Sequence, residues 1–171
     1  MIELMKKYIL LYGNKKLEDN ICIKNMFHNN KKINLGWTDF DYNTNIKIIN
    51  EQINEDVQQI IFSGFEIGWD KLIEKVREEH PNIVLKVICN TSESLLYYEY
   101  ERTNFFKMLE LLKNGMIDNV AFLKKGQYEV YKELGYNCSF LMENYKMDNS
   151  KKIQNNNDKI NIGIYPLNYT W

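Results

Sequence analysis

Ile83-Val84-Leu85-Lys86-Val87-Ile88-Cys89 is an apolar, β-branched run interrupted by a single lysine. A strand of that kind is buried on both faces, as in the middle of a parallel sheet. Immediately upstream, Trp69, Leu72, Ile73 and Val76 recur at i, i+3, i+4 and i+7, which is one face of an amphipathic helix. His80-Pro81 closes that helix, because the residue before a proline avoids helical geometry. Further upstream, Ile60-Ile61-Phe62 is a second short apolar run that stops at Ser63-Gly64. Strand, helix and strand in this order make a crossover unit with two parallel strands.

The same beat runs through most of the chain. Strand-like runs centre near Leu10, Leu35, Ile61, Val87, Phe122 and Phe140. Between them, Ile46, Ile49, Ile53 and Val57 lie at helical spacing. Leu17 to His28 half-fits a helix, although Ile21-Cys22-Ile23 also fits a strand; the flanking strands favour helix. Asn90-Thr91-Ser92-Glu93 resembles a helix start, with Asn90 as cap and Glu93 three residues on. The helix it opens runs to about Asn114, with Gly115 as its left-handed cap. A short helix through Val130, Tyr131 and Leu134 ends at Gly135. The expected fold is α/β: a Rossmann-like, doubly wound, mostly parallel sheet flanked by helices.

The organisation expected from the pattern has three parts. Residues 1–143 form the Rossmann-like domain, the Asn/Lys-rich residues 144–158 form a linker, and residues 159–171 open a second domain with Lys159-Ile160-Asn161-Ile162-Gly163-Ile164 as its first strand.

Composition narrows the function. The 171 residues carry 22 Lys+Arg against 23 Asp+Glu, so a basic nucleic-acid footprint is missing and no nucleic-acid partner is expected. Three cysteines, Cys22, Cys89 and Cys138, are odd in number and widely spaced, which suits a reducing cytoplasm better than a disulfide framework or a zinc site. No apolar run reaches spanning length, so membrane contact is at most peripheral. Neither a GxGxxG turn nor a Walker loop is present, which removes the usual signatures for dinucleotides and nucleoside triphosphates. His28 and His80 are isolated and read as ordinary surface residues. No metal site and no cofactor are expected.

Candidate site residues come from geometry. Open parallel sheets bind ligands beyond the carboxyl ends of their strands. That places Gly13 and Asn14, then Ser63, Gly64 and Glu66, then Asn90, Thr91 and Ser92, and finally Lys124 beside the ligand. The richest segment is Ser63-Gly64-Phe65-Glu66-Ile67-Gly68-Trp69. Its glycines allow close backbone approach, Glu66 can accept a sugar hydroxyl or act as a base, and Trp69 can stack on a ring. The plainer alternative is a βα turn with Trp69 buried at its helix start. Likewise, Asn90-Thr91-Ser92 suits anions or hydroxyls or simply caps a helix, and Lys124 meets a phosphate or stays solvated. The aromatic cluster Tyr97, Tyr98, Tyr100, Phe105 and Phe106 reads first as core packing and second as a ligand wall.

From Ile60 to Leu141 the chain resembles the N-terminal domain of bacterial glycosyltransferases of the two-domain GT-B fold. The resemblance rests on Ile61-Phe62-Ser63-Gly64-Phe65-Glu66-Ile67-Gly68-Trp69-Asp70, on the strand from Val84 to Cys89 with Asn90-Thr91-Ser92, on Asn114-Gly115-Met116-Ile117-Asp118, on Lys124-Lys125, and on Tyr131-Lys132-Glu133-Leu134-Gly135-Tyr136. Ile160-Asn161-Ile162-Gly163-Ile164-Tyr165 looks like the first strand of such an enzyme's second domain. The resemblance implies transfer of a sugar from a nucleotide-sugar donor to a glycan or protein acceptor, with no obligatory metal. It implies that the second domain holds most of the donor and that this domain faces the acceptor. A chain holding only the acceptor side is expected to be inactive by itself. The competing expectation is a non-catalytic Rossmann-like ligand-binding or regulatory domain.

Overall fold

The computed structural model describes residues 7–13, 31–36 and 40–141. The segment 14–30, the linker 144–158 and the strand expected at 159–164 lie outside the described residues, as do Asn14, Cys22 and His28.

Six strands and four α-helices fill the described part. They are β1 (Lys7–Tyr12), β2 (Lys31–Asn34), α1 (Tyr42–Gln52), β3 (Val57–Ser63), α2 (Trp69–Glu79), β4 (Val84–Cys89), α3 (Glu99–Lys113), β5 (Asn119–Phe122), α4 (Lys125–Glu133) and β6 (Cys138–Phe140). All neighbouring strands pair in parallel, in the order β2-β1-β3-β4-β5-β6. The Rossmann-like α/β arrangement read from the sequence is the one observed.

The strands alternate strictly. Ile9 and Leu11, Ile60 and Phe62, Leu85 and Val87, and Val120 and Phe122 point to one face of the sheet. Leu10, Ile61 and Ile88 point to the other, where Tyr12 and Leu123 join them. All four described helices pack on the first face, and the right-handed crossover rule explains why. From β2 through β6 each connection moves in the same direction across the sheet, so each helix lands on the same side. Helix α2 shows the driving force. Trp69, Leu72, Ile73 and Val76 are fully buried under the sheet, each contributing roughly 1.5–3 kcal/mol of transfer free energy.

Two boundaries differ from the sequence reading. Val57 opens β3 instead of continuing a helix from Ile46. Helix α1 stops at Gln52 because Asn54 builds a turn: its side-chain oxygen accepts from Asp56 N at 3.1 Å and its carbonyl from Val57 N at 3.0 Å. The helix expected from Asn90 begins only at Glu99, after a 3-10 turn over Glu93–Tyr97 and an extended Tyr98. Asn90 therefore caps nothing. The hydroxyls that might have capped a helix are engaged elsewhere, Ser92 with Ser94 at 2.9 Å and Thr91 with Glu101 at 3.1 Å. Gly115 does terminate α3, with φ 74°.

Among the described residues no helix is long and apolar enough to cross a membrane.

Candidate functional site

The chain leaves β1 toward β2 on one side and returns to β3 on the other, so the strand order reverses between β1 and β3. The crevice beyond the carboxyl ends of those strands is where such sheets bind ligands. Gly13 ends β1 there, Gly64 ends β3, and Asn90 ends β4.

Gly13 is buried, and its backbone lies so close to its neighbours that a Cβ would sit 2.8 Å from Trp69 Cζ2 and 3.1 Å from the Gly36 carbonyl oxygen. The same point is 3.5 Å from Glu66 Cγ. Gly64 adopts φ 103°, a conformation that other residues rarely hold. A Cβ there would sit 3.6 Å from Asn90 Nδ2 and 3.9 Å from Glu66 Oε1. Glu66 thus spans the two glycine turns, its aliphatic stem against one and a carboxylate oxygen over the other.

Helix α3 completes the site from above. Tyr100 Oη donates to Glu66 Oε2 at 2.5 Å. Glu101, the next residue, accepts from Thr91 Oγ1 at 3.1 Å. Burial holds the Glu101 carboxyl above the usual carboxylate range; the Thr91 hydroxyl opposes that, and the neighbouring Glu66 charge adds to it. Gln127 Nε2 donates to the Thr91 carbonyl at 3.1 Å, which ties α4 to the same loop. Tyr97, Tyr98 and Tyr100 leave part of their rings in solvent, Tyr97 at 85% exposure. The core reading holds for Phe105, which is buried, and not for these three tyrosines or for Phe106, which is exposed.

The sequence-derived candidates separate into groups. Gly13, Gly64, Glu66 and Asn90 converge at the crevice, and Thr91 joins through Glu101. Trp69 is fully buried, its ring tilted 56° to Phe62 at 5.7 Å, so it builds the crevice wall from behind, as the plainer reading had it. Ser63 is buried in the row of Tyr12 and Ile88 on the opposite face of the sheet. Ser92 is buried against Ser94. Lys124 is exposed at the start of α4, beyond β5. Asn14 lies outside the described residues.

From sequence, Tyr100 enters only through the second, ligand-wall reading of its aromatic cluster, and no role is given to Glu101. The local signal was there, because tyrosines flanked by Glu99 and Glu101 make a poor core stripe, but nothing local points to their partners.

Ser63 Oγ, Trp69 Nε1 and Asn104 Nδ2 are buried without a hydrogen-bond partner among the described residues. Asn104 lies on the face of α3 that carries Tyr100 and Lys107, whose partners are Glu66 and Asp70. Two of these three polar atoms therefore belong to elements that wall the crevice. Among the described residues no group of three or more His, Cys, Asp or Glu is placed to hold a metal ion.

A surface hollow of about 470 Å³ lies elsewhere, along the outside of α2, lined in part by Tyr42, Lys75, Arg77 and Met116. Of its charged lining residues, Lys75 is paired with Glu78 and Glu79, and Arg77 with Asp118. At the carboxyl edge of the sheet, one Glu66 carboxylate oxygen, Oε1, has no hydrogen-bond partner among the described residues.

Compared with protein-family models, with curated proteins and with solved structures, the chain matches none.

Proposed function

We propose that the chain is the acceptor-side domain of a cytoplasmic glycosyltransferase that uses a nucleotide-sugar donor. The observation that carries this reading is Glu66: a carboxylate at the strand-order reversal, oriented by Tyr100 and flanked by the second carboxyl of Glu101. Carboxylates beside exposed tyrosine rings suit a polyhydroxylated ligand, whose hydroxyls donate to the oxygens and whose ring faces lie on the aromatics. Phosphate would be repelled by the Glu66 carboxylate.

In this reading Glu66 takes the proton of the acceptor hydroxyl. The acceptor oxygen bonds to the anomeric carbon of the donor sugar. The bond from that carbon to the nucleotide's terminal phosphate oxygen breaks, and its electron pair leaves with the phosphate. The donor is held mainly by a second Rossmann-like unit facing this edge, and the acceptor is a glycan or a glycosylated protein. No residue of the site needs a metal for these roles.

The test is sugar transfer by the full gene product with Glu66→Gln. Loss of at least about 100-fold in kcat, the ordinary worth of a general base, with little change in the acceptor's KM, supports the reading. Unchanged kcat removes Glu66 from the chemistry. Saccharide binding without transfer by any form of the protein favours the ligand-binding domain instead.

A further inference from the structure

The two polar atoms above Gly64 narrow the ligand further, within the acceptor-side reading of this crevice. One point over the Gly64 backbone lies 3.6 Å from Asn90 Nδ2 and 3.9 Å from Glu66 Oε1. Glu66 Oε2 is committed to Tyr100, while Oε1 has no hydrogen-bond partner among the described residues. Asn90 is exposed and caps no helix. A ligand seated on Gly64 therefore meets a pure acceptor on one side and an amide donor on the other, close together.

Ligand classes can be weighed against that pair. A phosphate or carboxylate meets repulsion from Glu66. An ammonium satisfies Glu66 but, with Asn90 oriented as it is, leaves Nδ2 without an acceptor. An apolar group leaves the carboxylate oxygen without a partner, the costlier outcome. Two hydroxyls on adjacent carbons satisfy both: one donates its proton to Glu66 Oε1, and the other offers a lone pair to Asn90 Nδ2. Gly64 is itself buried, so only the diol edge of the ligand reaches it between Glu66 and Asn90, and no side chain at this position holds that edge away.

We infer that Glu66 and Asn90 form a specificity pair that recognises a vicinal diol above Gly64. Such a diol occurs on a hexopyranoside and on the ribose of a nucleoside.

The experiment is a chemical-shift titration of the full, isotope-labelled chain, reading the Gly64 amide and the Asn90 side-chain amide. The probes are methyl α-mannopyranoside and its 2,3-dideoxy analogue, and uridine with 2′,3′-dideoxyuridine. At least one diol should shift both signals. Its dideoxy partner should bind roughly tenfold more weakly, as should the diol to Asn90→Ala, the order expected for one lost hydrogen bond to a charged or amide group. Asn90 is exposed, so this variant should keep the native spectrum elsewhere. Equal binding of a diol and its dideoxy analogue overturns the inference, and so does the absence of any shift at Gly64. Recognition of uridine alone upholds the diol pair and overturns the acceptor-side reading. Mannoside binding that ignores both the diol and Asn90 upholds the acceptor-side reading and overturns the pair.

Discussion

Tyr100 Oη and Glu66 Oε2 are 2.5 Å apart although 34 positions separate them in the chain. The bond ties the first turn of α3 to the loop between β3 and α2, so it fixes the loop's carboxylate against the helix. Hydrogen bonds to an ionised acceptor are the short and strong ones. Tyr100→Phe keeps the ring and removes only the donor. In the full gene product it should lower kcat about tenfold, leave the acceptor's KM within a factor of two or so, and leave folding intact. Steady-state kinetics with a thermal melt checks this, and an unchanged kcat would reduce the contact to a surface ornament.

Gly13 has no room for a side chain. A methyl group there collides with the Trp69 indole at 2.8 Å and with the Gly36 carbonyl oxygen at 3.1 Å. Trp69 is wholly buried and cannot swing away, and the carbonyl is backbone. Gly13→Ala should therefore destabilise the domain by about 1–3 kcal/mol, the usual cost of overpacking. Denaturant unfolding measures it. A neutral result would mean that the end of β1 shifts freely, and the close approach to Glu66 would then lose its structural meaning.

The strand-and-helix beat was legible because strands buried on both faces are written as continuous apolar runs, as in Val84–Cys89. Trp69 to Val76 was equally plain, since its apolar positions repeat with the helix period. The end of α1 was hidden because Ile53 and Val57 happen to continue that period into the next strand; the turn depends on the Asn54 side chain, which the pattern does not weigh. Glu66 and Asn90 could be placed at strand ends from sequence alone. Their partners could not, because the crossover β3–α2–β4 and the start of α3 bring them together through the fold. Consecutive residues on a helix point about 100° apart. Tyr100 and Glu101 thereby reach two different loops, a division visible only in three dimensions.

At the opposite edge of the sheet, Arg77 acts as a structural clamp. Its guanidinium donates to the carbonyls of Met116, Pro81 and Ile83 and to Asp118 Oδ2, and the Asp118 carboxylate also accepts from Leu85 N at 2.7 Å. A lysine retains the charge but cannot reach these acceptors with a planar fork. Arg77→Lys should cost about 2 kcal/mol of stability while saccharide binding at the far crevice is unaffected. Urea unfolding and the Gly64 titration separate the two effects. Altered ligand shifts in the folded variant would show that the clamp and the crevice are coupled.

Glu101 should make stability depend on pH. Burial, with the Glu66 charge beside it, raises its folded pKa above the unfolded value, against the opposing Thr91 hydroxyl. The folded state then binds the proton more tightly than the unfolded chain does, so stability falls as pH rises through this interval. The contribution is fully present below the unfolded pKa and is lost above the folded one. Glu101→Gln keeps the shape and removes the titration. Relative to the native protein, the variant should gain thermal stability on going from pH 4 to pH 7, with little advantage at the acid end. Parallel melts across that range decide it. A melting difference that stays flat with pH would mean that Glu101 ionises as freely in the fold as in the unfolded chain.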